Sequence, residues 1–242
     1  MAKLLVVEGS FIVRGVFKEL LDQDGIFEYE LVGTYEEAKD LLQKSRYEYA
    51  VVEHILSDAP NGEIIPLLNK HNIAPLVFTK EIDEDFFDTF DGAQIVSYII
   101  KHKYNNITNV VNKLKELYEN KNRSILIVND SHIYTQYIKQ YLSLHSFKVY
   151  TAANNQEAYD RLIGHPEISL VIVEDNAPYV DAKEFTIQVR QNLQFNTLKI
   201  LQIVEGSNSY FTSSLLSIGS DDYIIKPFSR DEFYVRIYQN IN

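Results

Sequence analysis

Six ionisable residues, three in each half of the chain, stand at or one residue past the ends of short apolar runs. They are Glu8, Glu53 and Lys101, then Asp130, Glu174 and Lys226. Acids and a lysine meeting at one edge would make a small anionic pocket with a cationic wall. Such a pocket can hold Mg²⁺ and stabilise a phosphoryl group. The same groups can also satisfy one another as ion pairs, Glu53 with Lys101 and Glu174 with Lys226. Thr79 closes a fourth apolar run in the first half and offers a hydroxyl; its counterpart, Val204, cannot donate a hydrogen bond.

The elements that would position these groups are written twice. The first half reads KLLVVE (3–8), YAVVE (49–53), LVFTK (76–80) and SYIIK (97–101). The second reads SILIVND (124–130), LVIVE (170–174), ILQIV (200–204) and DYIIKPF (222–228). Glu8 and Asn129 are 121 positions apart, as are Glu53 and Glu174, whereas Lys101 and Lys226 are 125 apart. A repeat of that length is a duplicated domain, because solenoid units run to roughly 20–50 residues. Continuous Val/Ile/Leu runs suit a parallel sheet covered on both faces.

Helical periodicity fills the gaps between runs. Tyr134, Tyr137, Ile138, Tyr141 and Leu142 share one face, with Ser131 placed as N-cap. Ile107, Val110, Val111, Leu114 and Leu117 repeat the pattern, and Ser229-x-x-Glu232 has the form of a capping box. Alternating strand and helix predict a doubly wound α/β fold, one five-stranded parallel sheet per half. The polar stretch ENKNR (119–123) places the domain boundary at 121/122.

Composition narrows the function classes. The 242 residues include no cysteine, which excludes disulfides and thiolate chemistry. The net charge of −11 divides as −8 in residues 1–121 and −3 in residues 122–242. Neither half carries the basic face that nucleic-acid binding requires. No apolar run approaches the roughly 20 residues needed to cross a bilayer, and LLVV before Glu8 is too short for a signal-peptide core. The expectation is a cytoplasmic protein that binds neither nucleic acid nor membrane. Dinucleotide, P-loop and nucleophile-elbow motifs are absent. The six histidines lack metal-ligand spacing and read as solvated positions, His54 among them. The 17 tyrosines read mostly as packing; Tyr234 and Tyr238, one turn apart near the C-terminus, leave a homodimer face as the alternative.

Both halves resemble response-regulator receiver domains, and the whole resembles the N-terminal part of receiver-receiver-GGDEF regulators. VVEHILSDAPNGEIIPLL (51–68), VIVEDNAP (171–178) and GSDDYIIKPFSRDEF (219–233) carry the likeness. The resemblance implies two flavodoxin-like domains, 1–121 and 122–242. In that family an acid pair and an aspartate hold Mg²⁺, the aspartate takes phosphate from a histidine kinase, and a Thr/Ser, an aromatic and a lysine read the result. Here Glu53 and Glu174 occupy the acceptor positions. Gly9 replaces the second acid after Glu8, and Asn129 replaces the first before Asp130. Thr79 keeps the switch hydroxyl and Val204 loses it; Tyr98 and Tyr223 fit the aromatic position, Lys101 and Lys226 the lysine. Pro227 matches a cis proline of the family, whereas His102 replaces the first copy's proline and implies a trans bond or reshaped loop.

Glutamate projects one methylene further than aspartate, into the zone a phosphoryl group would occupy, so in-line transfer should suffer. The expected protein is therefore not itself an enzyme. It is a signalling module whose partners are a histidine kinase or other signalling protein and, if the chain is a fragment, a C-terminal GGDEF effector domain. Mg²⁺ binding, with two carboxylates per site, would be weak. The rivals are a receiver still phosphorylated, for instance on Asp175, a stand-alone adaptor, and an unrelated flavodoxin-like enzyme. Pro178 favours Glu174 over Asp175 as the acceptor position, and Asp58 reads as loop surface.

Overall fold

The computed structural model describes residues 1–80, 86, 89–90, 92–101, 105–175, 179–206 and 214–241. The expectations placed on His102 and Pro178 lie outside the described residues. Two compact units divide the chain, Met1–Tyr118 and Glu119–Asn242. That division falls three residues before the boundary read from the polar stretch, because helix Asn105–Asn120 runs into that stretch.

In the first unit the strands are β1 (Ala2–Val7), β2 (Phe27–Val32), β3 (Tyr49–Val52), β4 (Pro75–Thr79) and β5 (Ser97–Ile100). Its helices include α1 (Phe11–Asp24), α2 (Tyr35–Lys44), α3 (Ile64–Lys70) and α4 (Asn105–Asn120). The strands pair in parallel in the order β2-β1-β3-β4-β5. Side chains alternate between two cores: Leu4, Val6 and Val51 face α1 and α4 residues, Leu5, Val7 and Val52 face α2 and α3 residues. Burial on both faces is why these runs lack polar alternation.

The second unit repeats the architecture. Its strands are β6 (Ser124–Val128), β7 (Lys148–Ala152), β8 (Ile168–Glu174), β9 (Lys199–Glu205) and β10 (Asp222–Lys226), in the order β7-β6-β8-β9-β10. Its helices include α5 (His132–Leu144), α6 (Asn155–Gly164), α7 (Ala182–Gln191) and α8 (Arg230–Ile241). In both units the order reverses between the first and third strands. The crevice outside the strands' carboxyl ends at that point is where open α/β sheets place ligands.

Local chemistry fixes the helix starts beside the crevice. Ser10 and Ser131 accept from the backbone N–H of Val13 and Tyr134 and so begin α1 and α5. Ser229 Oγ accepts from Glu232 N at 3.1 Å at the start of α8. Helix α2 carries a full capping box, Thr34 with Glu37. Helix α2 has a second cap from outside: the Asp58 carboxylate accepts from Tyr35 N (3.0 Å) and Glu36 N (3.1 Å). Asp58 therefore pins the loop after β3 to the start of α2, a role that the surface reading of this residue misses.

Several packing details differ from the sequence expectation. His54 is buried, edge-on to Phe86 with centroids 5.1 Å apart, and His145 is buried and stacked on Tyr234. Neither is a solvated histidine. Tyr234 is buried, with its hydroxyl on the Tyr141 carbonyl at 2.8 Å, and Tyr238 OH meets His145 Nδ1 at 2.7 Å. Both rings pack within the second unit, Tyr234 buried and Tyr238 half-buried. Gln202 lies fully buried in β9, where the run looks apolar; its amide donates to Thr186 Oγ1 (3.1 Å) and Ser220 Oγ (2.7 Å).

Candidate functional site

In the first unit, Glu8 follows β1, Glu53 follows β3 and Lys101 follows β5. β4 lies between β3 and β5, so the lysine must reach back across it. Its backbone N–H is held by the Thr79 carbonyl at 2.6 Å, and its ammonium passes over the Phe78 ring at 5.0 Å. The ammonium ends 2.7 Å from Glu8 Oε2 and 2.8 Å from Glu53 Oε1.

The remaining carboxylate oxygens are also bonded. Glu8 Oε1 accepts from Ser10 N at 3.0 Å, and Glu53 Oε2 accepts from Gly9 N at 3.3 Å. Arg14 donates to the carbonyls of Glu8 and Gly9, fixing the turn that presents them. Burial pushes the Glu8 carboxyl above its ordinary range, and its bond to Lys101 opposes that pull. The cluster sits at the base of a cleft of about 660 Å³ whose walls include Arg14, Thr34, Ser57 and Lys80.

The second unit brings together a different set. Lys226, the last residue of β10, pairs with Glu174 Oε1, and Asn129 Nδ2 donates to Glu174 Oε2. Asn129 Oδ1 in turn accepts from Ser131 N at 2.6 Å, matching the Glu8–Ser10 bond of the first unit. Lys226 lies 4.0 Å above the Tyr134 ring on α5, and burial lowers its pKa. Asp130 is not on the lysine: its carboxylate accepts from Tyr179 N at 3.3 Å. Asp175 lines a cleft with Asn154, Tyr179, Asp181 and Glu184. The Lys226-Pro227 peptide is cis.

Thr79 is buried at the end of β4, and Val204 is fully buried in β9. Tyr98 and Tyr223 are half-buried on β5 and β10. The two sites differ in charge. One lysine faces two glutamates in the first, whereas one lysine faces one glutamate and an amide in the second.

Sequence reasoning misses the backbone N–H of Gly9 as a partner of Glu53 and the aromatic walls, Phe78 and Tyr134, against the two lysines. Tyr134 stands one turn after the Ser131 cap and Phe78 lies within an apolar strand, and neither position separates a wall from core packing. The donor set does not suit a resident Mg²⁺, which demands near-ideal octahedral oxygen geometry. Lys101 takes one oxygen from each glutamate, and among the described residues no three His, Asp or Glu are grouped to hold a metal.

Comparison with known proteins bears on the fold that carries this site. Residues 125–238 match the family model of the response regulator receiver domain. A solved structure of a two-component system response regulator/GGDEF domain protein superposes on 100% of this chain and 98% of its own, with 26% identity and a TM-score of 0.85. The chain is two receiver folds in tandem, and its second half matches the receiver domain family. A second solved response regulator/GGDEF domain protein aligns with this chain at TM-score 0.84 and 25% identity, again over 100% of this chain and 98% of that one. The transcriptional regulatory protein SrrA of Staphylococcus aureus (strain NCTC 8325) is 32% identical over 113 residues, 47% of this chain and 45% of SrrA. The chain thus spans less than half the length of that curated relative. Among the described residues no helix is long and apolar enough to cross a membrane.

Proposed function

We propose that this chain is the input module of a two-component response regulator in which both receiver domains have lost phosphoryl transfer. Glu53 and Glu174 stand at the phospho-acceptor positions, and each is spent on an internal ion pair. The observation that carries this reading is the bonding of Lys101 and Lys226, the cations that would stabilise an incoming phosphoryl group, to the chain's own glutamates. A lysine so engaged has little to gain from an external phosphoryl group, and the acceptor carboxylate stands in the space the group would need.

On this reading the module is a regulatory part and not an enzyme. It works in the cytoplasm through contacts with a histidine kinase or another signalling protein and through domain or dimer contacts. Its natural output is a C-terminal diguanylate cyclase, which the likeness to response regulator/GGDEF domain proteins supports. Thr79 leaves the first domain the more responsive of the two, because Val204 has no hydroxyl to offer.

The test is intact-protein mass spectrometry after incubation with acetyl phosphate, with and without Mg²⁺, beside a receiver of known competence. No mass gain is expected. An Mg²⁺-dependent gain of one phosphoryl group would overturn the reading.

A further inference from the structure

We infer that Gly9 and Glu53 are a matched pair, in which the missing side chain at position 9 lets the longer acid at position 53 seat its carboxylate and close the pocket. Gly9 is thus a positioning residue for Glu53. The inference rests on the proposed function for what a closed pocket means, but its geometry stands apart from that reading.

Three observations carry it. Gly9 donates its N–H to Glu53 Oε2 at 3.3 Å while the other oxygen takes Lys101. A Cβ built on Gly9 would stand 3.3 Å from that same oxygen, its only neighbour within 4 Å outside residues 8 and 10, so a methyl group there presses on the carboxylate. Gly9 is also not among the glycines with positive φ, so its backbone does not require glycine. The space over its Cα is what glycine supplies.

The second domain provides an internal control. There the counterpart of Gly9 is Asp130, which carries a side chain, and the counterpart of Glu8 is Asn129. Glu174 turns its second oxygen to the Asn129 amide, and Asp130 turns away to Tyr179 N. The two domains therefore seat the same glutamate by two routes. One uses a bare backbone N–H after an acid, the other a side-chain amide before an acid. Residues 8 and 9, with 129 and 130, decide which route each domain takes.

The test is Gly9→Ala made in the full chain, in the wild-type background and in Glu53→Asp. Where φ suits alanine, Gly→Ala ordinarily stabilises by restricting the unfolded chain. The thermal midpoint of the first domain is expected to fall with Gly9→Ala in the wild type. It is expected to rise with the same change in Glu53→Asp, whose carboxylate is withdrawn by one methylene.

The amide proton resonance of residue 9, read by NMR, supplies a measure independent of stability. It should move upfield in Gly9→Ala and in Glu53→Asp alike, as the bond to the carboxylate is lost, while the Ser10 amide bonded to Glu8 stays in place. Midpoint shifts of one sign in both backgrounds with an unmoved residue 9 amide would overturn the pairing. Acetyl phosphate labelling of the wild type separates the two ideas. Labelling with the sign reversal intact sinks the proposed function alone, and additive midpoints without labelling sink the pairing alone.

Discussion

Lys101 Nζ lies 2.7 Å from Glu8 Oε2, and Glu8 is 1% exposed, so the lysine is the countercharge of a carboxylate that water hardly reaches. Removing one partner of such a pair leaves an uncompensated charge, which costs more than the pair itself contributes. Lys101→Met should therefore destabilise the first domain by about 3 kcal/mol at neutral pH. Urea unfolding followed by a probe in that domain checks this. A loss as small as that of an exposed-lysine control such as Lys18→Met would contradict it.

The Glu8 carboxyl titrates above its ordinary value of 4.5 because burial disfavours its charge. Between the unfolded and the raised folded pKa the native state holds more protons than the unfolded state. Stability from this group is thus fully present below about pH 4.5 and is lost as pH rises through the folded pKa. Relative to Glu8→Gln, the wild type should lose stability as pH climbs from 4 to neutrality. Urea midpoints of both proteins across that range test the sign; a constant difference would show that Glu8 titrates alike in both states.

Asp58 acts in the opposite direction. Its bonds to Tyr35 N and Glu36 N hold its carboxyl below the ordinary value of 3.8, so its contribution is present above that pH and is lost as pH falls through the folded pKa. Asp58→Ala should speed hydrogen exchange at the Tyr35 and Glu36 amides and leave that at the Val13 amide of α1 unchanged. Equal protection in both proteins would remove Asp58 from the α2 start.

Tyr134 places its ring 4.0 Å from Lys226 and buries a hydroxyl that has no hydrogen-bond partner among the described residues. The ring and the hydroxyl should therefore act with opposite signs. Tyr134→Phe keeps the cation–π contact and removes the unpaired oxygen, so stability should hold or rise. Tyr134→Leu gives up the contact and should lose about 1 kcal/mol beyond any packing change. Thermal unfolding of the two variants side by side decides it, and equal losses would make the hydroxyl the important part.

Much of this protein was legible in the order of its residues. The apolar runs, their spacing of 121 and the helical periods determine two parallel α/β sheets, because burying both faces of a strand demands an unbroken apolar run. The residue after each run is then bound to emerge at the carboxyl edge, so Glu8, Glu53, Lys101, Glu174 and Lys226 could be placed without coordinates. What only the tertiary structure decided is who bonds to whom at that edge. Lys101 serves two glutamates and Lys226 one; Asp130 turns to the Tyr179 backbone; Asp58 reaches α2; Gly9 answers Glu53 with a backbone N–H. Sequence spacing carries strand ends to one edge because backbone geometry is regular. The final bonds depend on side-chain reach, the space over a single Cα and competition among several donors, and those are settled only when residues distant in the chain are packed together.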